Sequence, residues 1–301
     1  MDLRVWLEKN TYDAGETAKG TLLIRANSSL KVRMLRFSVC GKERYLEVTK
    51  NNRRGGMIGG LGGSTETEKY DIFFFEDLSS FLKSTQAFSH IDDSDRVEIP
   101  QGSSAIPFHF SIPPNALESY SGKHARIKYE VEVRVNMGRW KRDHYTLAFE
   151  VTNPRMTYTA GDSLYLGKER EKKEGQPYLH LELETKNGTN DIPKFSPGEI
   201  IQGRLTIEGI GPRRVKKAII QLFGVEYSIW RRSRIIPETT KEEIRYNRNK
   251  DMDTIAFGIQ IPKKAKRSYN AKHSEYYWLL EIQVDISGSP DIHAKRVIQV
   301  A

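Results

Sequence analysis

Residues that could perform chemistry are few in this chain, and their spacing does not match that of known catalytic or metal sites. Its seven histidines form no His-x-x-x-His pair, and Cys40 is the only cysteine, so a Cys-x-x-Cys pair is impossible. Asp92, Asp93 and Asp95 could ligate calcium, but the segment lacks the glycine and the terminal glutamate of an EF-hand loop. We therefore predict a protein that is not an enzyme, with no catalytic residue, no metal site and no cofactor.

The most distinctive segment is glycine-rich, with six glycines among the nine residues 55–63. This composition gives the backbone wide conformational freedom and predicts a mobile loop. It is not a phosphate-binding loop, because no Lys-Ser or Lys-Thr follows it and no helix begins directly after it. We expect the segment to contact a membrane or a groove in a partner through Arg53, Arg54, Met57, Ile58 and Leu61. The alternative is a hairpin tip that binds nothing.

The positive charge of the chain is concentrated in its second half. The net charge is +9, and residues 154–301 account for +7 of it, with 26 Lys/Arg against 19 Asp/Glu. Such a bias attracts anions, whether phosphorylated protein, anionic lipid or nucleic acid. No recognised nucleic-acid module is present, so we do not expect nucleic acid as a partner. Two clusters are predicted to contact an anionic partner, with plain solubility as the alternative: Arg231, Arg232 and Arg234, and Lys263, Lys264, Lys266 and Arg267.

An internal repeat organises the chain. Residues 12–24 match 195–207 at an offset of 183, and residues 106–113 match 255–262 at an offset of 149. The offsets differ by 34, so the first copy contains about 34 additional residues between its two matching segments. We conclude that one domain was duplicated and that its first copy received an insertion.

Each copy has the residue pattern of antiparallel β structure. Apolar residues alternate with polar ones around Leu3, Val5 and Leu7, and again around Val131 and Val133. A period of two places one set of side chains on a buried face and the other in water. Short alternating strands separated by Gly-Glu and proline turns predict an all-β fold of two tandem antiparallel β-sandwich domains of the immunoglobulin-like type.

The repeat also predicts the boundaries of the parts. We expect an N-terminal sandwich over residues 1–153, a charged linker over 154–177 and a C-terminal sandwich over 178–301. Within the insertion, the spacing of apolar residues predicts one short helix over 77–88, with Asp77 as its N-cap. Gly41 and its counterpart Gly224 are expected to end equivalent strands.

The repeated unit resembles the arrestin family. The resemblance rests on an aromatic residue followed by a Gly-Glu turn and a glycine-led strand, then Phe-x-Phe-x-Ile-Pro (108–113), Ser-Tyr-x-Gly (119–122) and Ile-x-Tyr-x-Val-x-Val (127–133). The resemblance covers nearly the whole chain. The repeated unit is similar to arrestin-domain-containing proteins, to the retromer arrestin subunit and to prokaryotic relatives. It implies two seven-stranded-type, arrestin-type sandwiches whose concave faces and loops dock partners.

The resemblance implies an adaptor or scaffold that acts at membranes. Its implied partners are proteins, namely membrane-protein tails or trafficking machinery, together with an anionic lipid surface. The chain has no Pro-Pro-x-Tyr motif and no lysine pair ahead of its first strand, so we do not carry over ligase recruitment or receptor desensitisation. Without a signal peptide or an apolar run long enough to cross a bilayer, we expect a cytoplasmic, peripheral membrane location. The alternative function is capture of peptides by β-strand addition, without lipid or phosphate recognition.

Overall fold

Alternation of apolar and polar residues produces β-strands in almost all of the chain that the structure describes. The computed structural model describes residues 1–50, 64–80, 89–90, 97–138, 142–154, 178–184, 192–209, 215–228, 231–245, 254–288 and 290–301. Of residues 48–50, 64–66, 89–90 and 231–245 only the backbone is described. These residues divide between two compact units, Met1–Met156 and Thr157–Ala301.

Twelve strands belong to the described part of the first unit. They are β1 (Asp2–Leu7), β2 (Thr11–Asp13), β3 (Thr17–Ala26), β4 (Leu30–Val32), β5 (Met34–Lys50), β6 (Ser64–Asp77), β7 (Ser89–His90), β8 (Val97–Ile99), β9 (Gly102–Ser111), β10 (Tyr120–Ser121), β11 (Ala125–Asn136) and β12 (Arg142–Thr152). One sheet has the order β1-β3-β9, and the larger sheet has the order β2-β12-β11-β5-β6, with β10 paired to β11. A small third sheet has the order β4-β8-β7.

The described part of the second unit contains nine strands. They are β13 (Tyr178–Leu183), β14 (Lys194–Phe195), β15 (Ile200–Glu208), β16 (Val215–Ser228), β17 (Arg231–Arg245), β18 (Thr254–Gln260), β19 (Tyr269–Asn270), β20 (Ser274–Ile286) and β21 (Ile292–Val300). The order β13-β15-β18 forms the smaller sheet, and β14-β21-β20-β16-β17 forms the larger, with β19 paired to β20.

The two units therefore repeat one strand order. Every strand of the second unit has a counterpart in the first, and β2 and β14 both run parallel to the last strand of their unit. The inserted residues lie in two places, since the β5–β6 connection spans 51–63 where β16–β17 spans only 229–230, and β7 and β8 lie between β6 and β9. The predicted all-β fold of tandem β-sandwiches is confirmed.

The Gly-Glu signature of the repeat is a turn that each copy builds in the same way. Gly15 and Gly198 have φ of 87° and 83°, a backbone conformation that residues with a Cβ rarely adopt. The side chain of the glutamate that follows points back toward the preceding backbone. Its Oε2 accepts a hydrogen bond from the amide of the residue three positions earlier, at 3.0 Å for Glu16 and 2.8 Å for Glu199. Both residues of the motif are therefore required by the turn.

The second glycine of the motif lies beneath a phenylalanine ring. A Cβ at Gly20 would lie 2.7 Å from Cζ of Phe108, and a Cβ at Gly203 would lie 2.6 Å from Cζ of Phe257. In both copies the two residues face each other across a strand pair. In the first unit Phe37, from the opposite sheet, meets Phe108 edge to face at a centroid distance of 4.8 Å. The glycine thus makes room for the ring that joins the two sheets.

The expectation that Gly41 and Gly224 end their strands is wrong. Both lie inside long strands, because β5 continues to Lys50 and β16 to Ser228. Each glycine lies beside a shift in the pairing register and beneath an aromatic ring. A Cβ at Gly41 would lie 2.7 Å from Cε2 of Phe73, and one at Gly224 would lie 2.0 Å from Oη of Tyr276. The pattern marks a crowded bulge, which alternation alone does not distinguish from a strand end.

The predicted helix and linker can be compared with the structure only in part. Ser79 and Ser80 are helical, and Oδ1 of Asp77 accepts a hydrogen bond from the Ser79 amide at 2.8 Å, as an N-cap does. Residues 81–88 lie outside the described residues, and so does the linker beyond Pro154 as far as 177. The exact domain boundaries stay a prediction.

Replacing Gly203 with alanine should destabilise the second unit by about 1–3 kcal/mol, because the new methyl group would lie 2.6 Å from the Phe257 ring and 2.8 Å from the Glu182 carbonyl oxygen. The neighbouring Gly258 is the matched control, since its Cβ would meet only Ile200, at 3.5 Å. Gly258→Ala should change stability by less than about 0.5 kcal/mol. Differential scanning calorimetry of the full chain measures both, and equal effects would contradict the close packing.

Candidate functional site

The predicted cluster of Lys263, Lys264, Lys266 and Arg267 lies on a loop that is fastened at three points. This basic loop, residues 262–268, connects β18 to β19. The Ala265 amide donates to the Pro262 carbonyl oxygen at 2.9 Å. Nε1 of Trp278 donates to the Lys266 carbonyl oxygen at 2.9 Å. Ser268 exchanges two hydrogen bonds with Val300, of 2.7 and 3.0 Å. These contacts hold the backbone in one position, so the loop presents its side chains from a fixed base.

The first unit fastens its equivalent loop, residues 113–119, with the same bonds. The Tyr129 hydroxyl takes the place of the Trp278 indole and donates to the Leu117 carbonyl oxygen at 2.6 Å. Ser119 exchanges hydrogen bonds of 2.8 and 2.9 Å with Val151, as Ser268 does with Val300. The backbone is conserved between the copies while the exposed chemistry differs, because Pro114, Asn115, Leu117 and Glu118 stand where the second unit has Lys263, Lys264, Lys266 and Arg267.

The basic loop presents cations of two kinds. Lys263 and Lys264 are exposed at the tip, whereas Lys266 and Arg267 are half-buried beside the anchored Ala265 and Ser268. The Lys263 stem runs over the Gly-Glu turn, with its Cγ 3.4 Å from the position of a Cβ on Gly198. A fixed group of cations next to a turn can bind carboxylate or phosphate groups through charge-assisted hydrogen bonds.

The structure describes the remaining predicted site residues only in part. Arg231, Arg232 and Arg234 begin β17, where their backbones pair with Ser228, Tyr227 and Val225 of β16; their side chains are outside the described part. Five more residues fall within 51–63, also outside the described residues: Arg53, Arg54, Met57, Ile58 and Leu61. Their role in binding stays a prediction.

A charged network that the sequence did not predict covers the solvent-facing side of the larger sheet in the first unit, here called the outer face. Lys42 on β5 forms an ion pair with Glu130 at 2.9 Å and a closer one with Glu132. Arg134 binds the other oxygen of Glu132 at 2.6 Å. Glu132 is nearly buried, with 6% of its side chain exposed. The second unit has Val225 and Leu279 where the first has Lys42 and Glu130, and there the same face carries a buried apolar cluster.

Comparison with known proteins agrees with these features. The family model described as Arrestin (or S-antigen), N-terminal domain, matches residues 3–157. The chain belongs to the arrestin family. It is also similar to Arrestin domain-containing protein 1 of Homo sapiens, with 23% identity over 144 residues. That match covers 48% of this chain and only 27% of the human protein, so the chain corresponds to about a quarter of that relative.

Arrestin-family membership indicates an adaptor or scaffold role, which is generally not enzymatic. In the part of this arrestin-family chain that the structure describes, no helical segment has the length and hydrophobicity of a membrane span. In the outer-face network, Lys42 binds the carboxylates of both Glu130 and Glu132.

The cysteine of this arrestin-family chain is buried beneath the outer-face network. Its Sγ lies 3.7 Å from an oxygen of Glu132. Burial raises the pKa of the Cys40 thiol to about 11, despite the nearby Lys42 charge. A thiol with so high a pKa is a poor nucleophile. Cys40 is therefore a buried thiol with charged neighbours.

The sequence contains a signal for the network in the polar positions of β11. Val131 and Val133 predict the buried face of β11, on which Val135 also lies, and the residues between them form the outer face. Glu130, Glu132 and Arg134 carry charges at every second position. The pairing of β5 with β11 then places Lys42 beside them. That pairing joins residues almost ninety positions apart and is not readable from local spacing.

Replacing Lys42 with methionine should cost about 3 kcal/mol of stability near neutral pH, because Glu132 would remain buried without its nearest cation. Burial acts to raise the pKa of Glu132, but the hydrogen bond and charge of Lys42, with those of Arg134, outweigh it and leave the pKa below its usual value of 4.5. A depressed pKa contributes stability above 4.5 that is lost as pH falls through the folded-state pKa.

The cost of the Lys42→Met change should therefore shrink as the pH falls, because Glu132 takes up a proton at a higher pH in the variant than in the wild type, where the pKa of Glu132 lies below 4.5. Scanning calorimetry near neutral pH and near pH 4 measures the difference. Lys19→Met, at an exposed position of β3, is the control and should cost less than about 0.5 kcal/mol at either pH. A pH-independent loss for Lys42→Met would contradict the role of the ion pair.

Cys40 should react with Ellman's reagent at least about 100-fold more slowly in the native protein at about pH 8 than in concentrated guanidinium chloride, because burial and the raised pKa leave little thiolate. The absorbance of the released thiolate measures the rate. Equal rates in the two conditions would show that the thiol is accessible and would contradict its position beneath Lys42.

Proposed function

We propose that this arrestin-family chain is a non-enzymatic adaptor that binds protein partners and docks on anionic membrane surfaces through the basic loop of its second unit. The observation that carries the proposal is the comparison of the two copies. The same hydrogen bonds fasten residues 113–119 and 262–268, yet only the second loop presents cations in place of neutral and acidic residues. Folding alone does not require that difference.

The expected binding free energies favour a reversible attachment to the membrane. A lysine or arginine near an anionic leaflet contributes about 1 kcal/mol, so the exposed Lys263 and Lys264 of the loop supply about 2 kcal/mol before any cost of ordering. This is too weak for stable anchoring, and a second contact is needed. A bound protein partner would supply it, and so would Met57, Ile58 and Leu61 with Arg53 and Arg54 if residues 51–63 reach the same surface. Arg231, Arg232 and Arg234 would add charge at the start of β17.

This mode of action suits a protein that gathers others at a membrane. The partners we propose are tails of membrane proteins or components of trafficking machinery, and the location is the cytoplasm and the cytoplasmic face of a membrane. Attachment that depends on a bound partner would make recruitment conditional on that partner.

Replacing Lys263 and Lys264 with glutamate should weaken binding to phosphatidylserine-containing vesicles at least about tenfold, because two attractive charges become repulsive. Each replacement lowers the net charge by two, from +9 to +5 for the pair. Co-sedimentation with vesicles at several salt concentrations measures the change, and pure phosphatidylcholine vesicles should bind neither protein.

The matched control is Lys19→Glu with Lys31→Glu, which changes the net charge equally at exposed positions of the first unit. That control should keep at least about half of the wild-type affinity, because total charge acts only weakly at a distance through salt. Equal losses for both pairs would mean that net charge, rather than the loop, governs binding. No vesicle binding by the wild type would contradict the membrane part of the proposal.

A further inference from the structure

The edge strand β18 lacks the protection that the other edge strands have. It ends the smaller sheet of the second unit, and among the described residues no strand pairs with the side of β18 that faces away from β15. Its sequence, Thr-Ile-Ala-Phe-Gly-Ile-Gln, contains no charged residue and no proline. Every other described edge strand of more than three residues contains at least one of these, and they are the residues by which proteins block unwanted strand pairing.

The first unit closes the equivalent edge in two ways. Its strand β9 is the counterpart of β18, and Pro107 stands where β18 has Ala256. A proline has no amide hydrogen to offer to an added strand. Near the end of β9, the Glu76 carboxylate accepts a hydrogen bond from the Ser111 amide. The change from Pro107 to Ala256 therefore restores to the second unit an amide that the first unit lacks.

The backbone groups of Ala256 and Gly258 face the open side of β18. The Ile261 amide donates to the Glu199 carbonyl oxygen at 2.9 Å, so these two residues form a hydrogen-bonded pair between the strands. Such pairs alternate with non-hydrogen-bonded pairs along an antiparallel ladder, so the odd-numbered residues of β18 bond to β15. The amide and carbonyl groups of Ala256 and Gly258 therefore point away from β15, and both residues are exposed.

The sequence of β18 is close to symmetric about Phe257. In either direction from Phe257 a small residue comes first and an isoleucine second, namely Ala256 and Ile255 on one side and Gly258 and Ile259 on the other. Antiparallel pairing of two copies about Phe257 would set each Ile255 opposite Ile259 and each Ala256 opposite Gly258. In this register Ala256 and Gly258 become hydrogen-bonded pairs, which is what their outward-facing backbone groups require.

The charges near this edge permit the pairing. Arg204 of β15 pairs with Ala256 within one copy. In the paired arrangement the two Arg204 residues would lie three strand spacings and two residues apart, about 16 Å, which exceeds the screening length of about 8 Å. The larger sheet ends in β17, which contains Pro237 and eight charged residues. We therefore expect the smaller sheets alone to join.

We propose that two copies of the chain associate through β18, whose strands pair antiparallel about Phe257 and join the smaller sheets of the two copies into one continuous sheet. A second copy is the occupant because β18 is its own complement, as a two-fold contact requires: apolar residues meet apolar residues and small residues meet small residues. One strand from each copy makes a small interface, so the dimer should be weak and reversible. The inference goes beyond the proposed function and does not depend on it, since the contact uses neither the basic loop nor a partner protein.

Sedimentation velocity of the full chain, from about 1 to about 200 μM, should show a dimer that grows with concentration. Ala256→Pro should weaken the association at least about tenfold, because it removes an amide at the centre of the paired strands. The variant should fold, since β9 holds Pro107 at the equivalent position. Ala105→Pro is the matched control, at an exposed position of β9, and should change the association less than about twofold.

Two pairs of charged substitutions test the register. Ala256→Glu with Gly258→Lys should dimerise at least as tightly as the wild type, because each glutamate would lie opposite a lysine of the other copy. Ala256→Glu with Gly258→Glu sets like charges opposite each other and should weaken the dimer at least about tenfold, although it lowers the net charge from +9 to +7. Circular dichroism and calorimetry check folding, and these pairs keep the test decisive if Ala256→Pro is unstable.

Salt separates this contact from the membrane contact. The dimer should hold or tighten as the salt concentration rises, because the paired strands are uncharged and salt screens the repulsion between two chains of net charge +9. Vesicle binding through the basic loop should weaken under the same conditions. Lys263→Glu with Lys264→Glu should not weaken the dimer. Loss of vesicle binding with an intact dimer would therefore remove the membrane role alone.

Several outcomes would overturn the proposal. These are a chain that stays monomeric at every concentration, a dimer that withstands both Ala256→Pro and the pair of glutamates, and an equal loss on Ala105→Pro. A monomeric chain that instead binds a neutral peptide of alternating valine and threonine, with loss of binding on Ala256→Pro, would assign the edge to a strand from a partner protein. That result would also overturn the assignment to a second copy.

Discussion

The contact on which each sandwich depends is a phenylalanine ring that covers a glycine of the neighbouring strand. Phe108 over Gly20 and Phe257 over Gly203 repeat this contact with almost the same distances. In the first unit the ring then meets Phe37 of the opposite sheet, so one side chain joins both layers. Such an arrangement leaves no space for a Cβ, and a β-sandwich buries its core only when the two inner faces interlock in this way.

With that core fixed, each unit can fasten its loops at set positions. The loops 113–119 and 262–268 are held by an aromatic donor on the central strand and by a serine that bonds the last strand. Because the fastening uses backbone groups, the exposed side chains of these loops are free to vary without loss of fold. The duplicated domain therefore offers two identical frames with different surface chemistry, an arrangement suited to a protein that holds several partners.

The larger sheets likewise combine a shared structure with different surface chemistry. Their inner faces are apolar in both copies, whereas the outer faces differ, with Lys42, Glu130 and Glu132 forming ion pairs in the first unit and Phe223 and Leu279 packing together in the second. A buried carboxylate needs its cation nearby, so the ion pairs tie β5 to β11 specifically. The apolar cluster of the second unit needs no paired charge. Each copy has thus been adapted on the side that its core does not use.

The sequence by itself determined the strand pattern, the duplication and the Gly-Glu turns, because these depend on side-chain alternation and on local backbone conformation. It also indicated Lys263 and Lys264 as exposed, since charged residues in a turn remain in water. Only the tertiary structure decided that Gly41 lies within a bulged strand and that Lys42 meets Glu132. Those contacts join residues far apart in the chain, and strand register, which local spacing does not encode, brings them together.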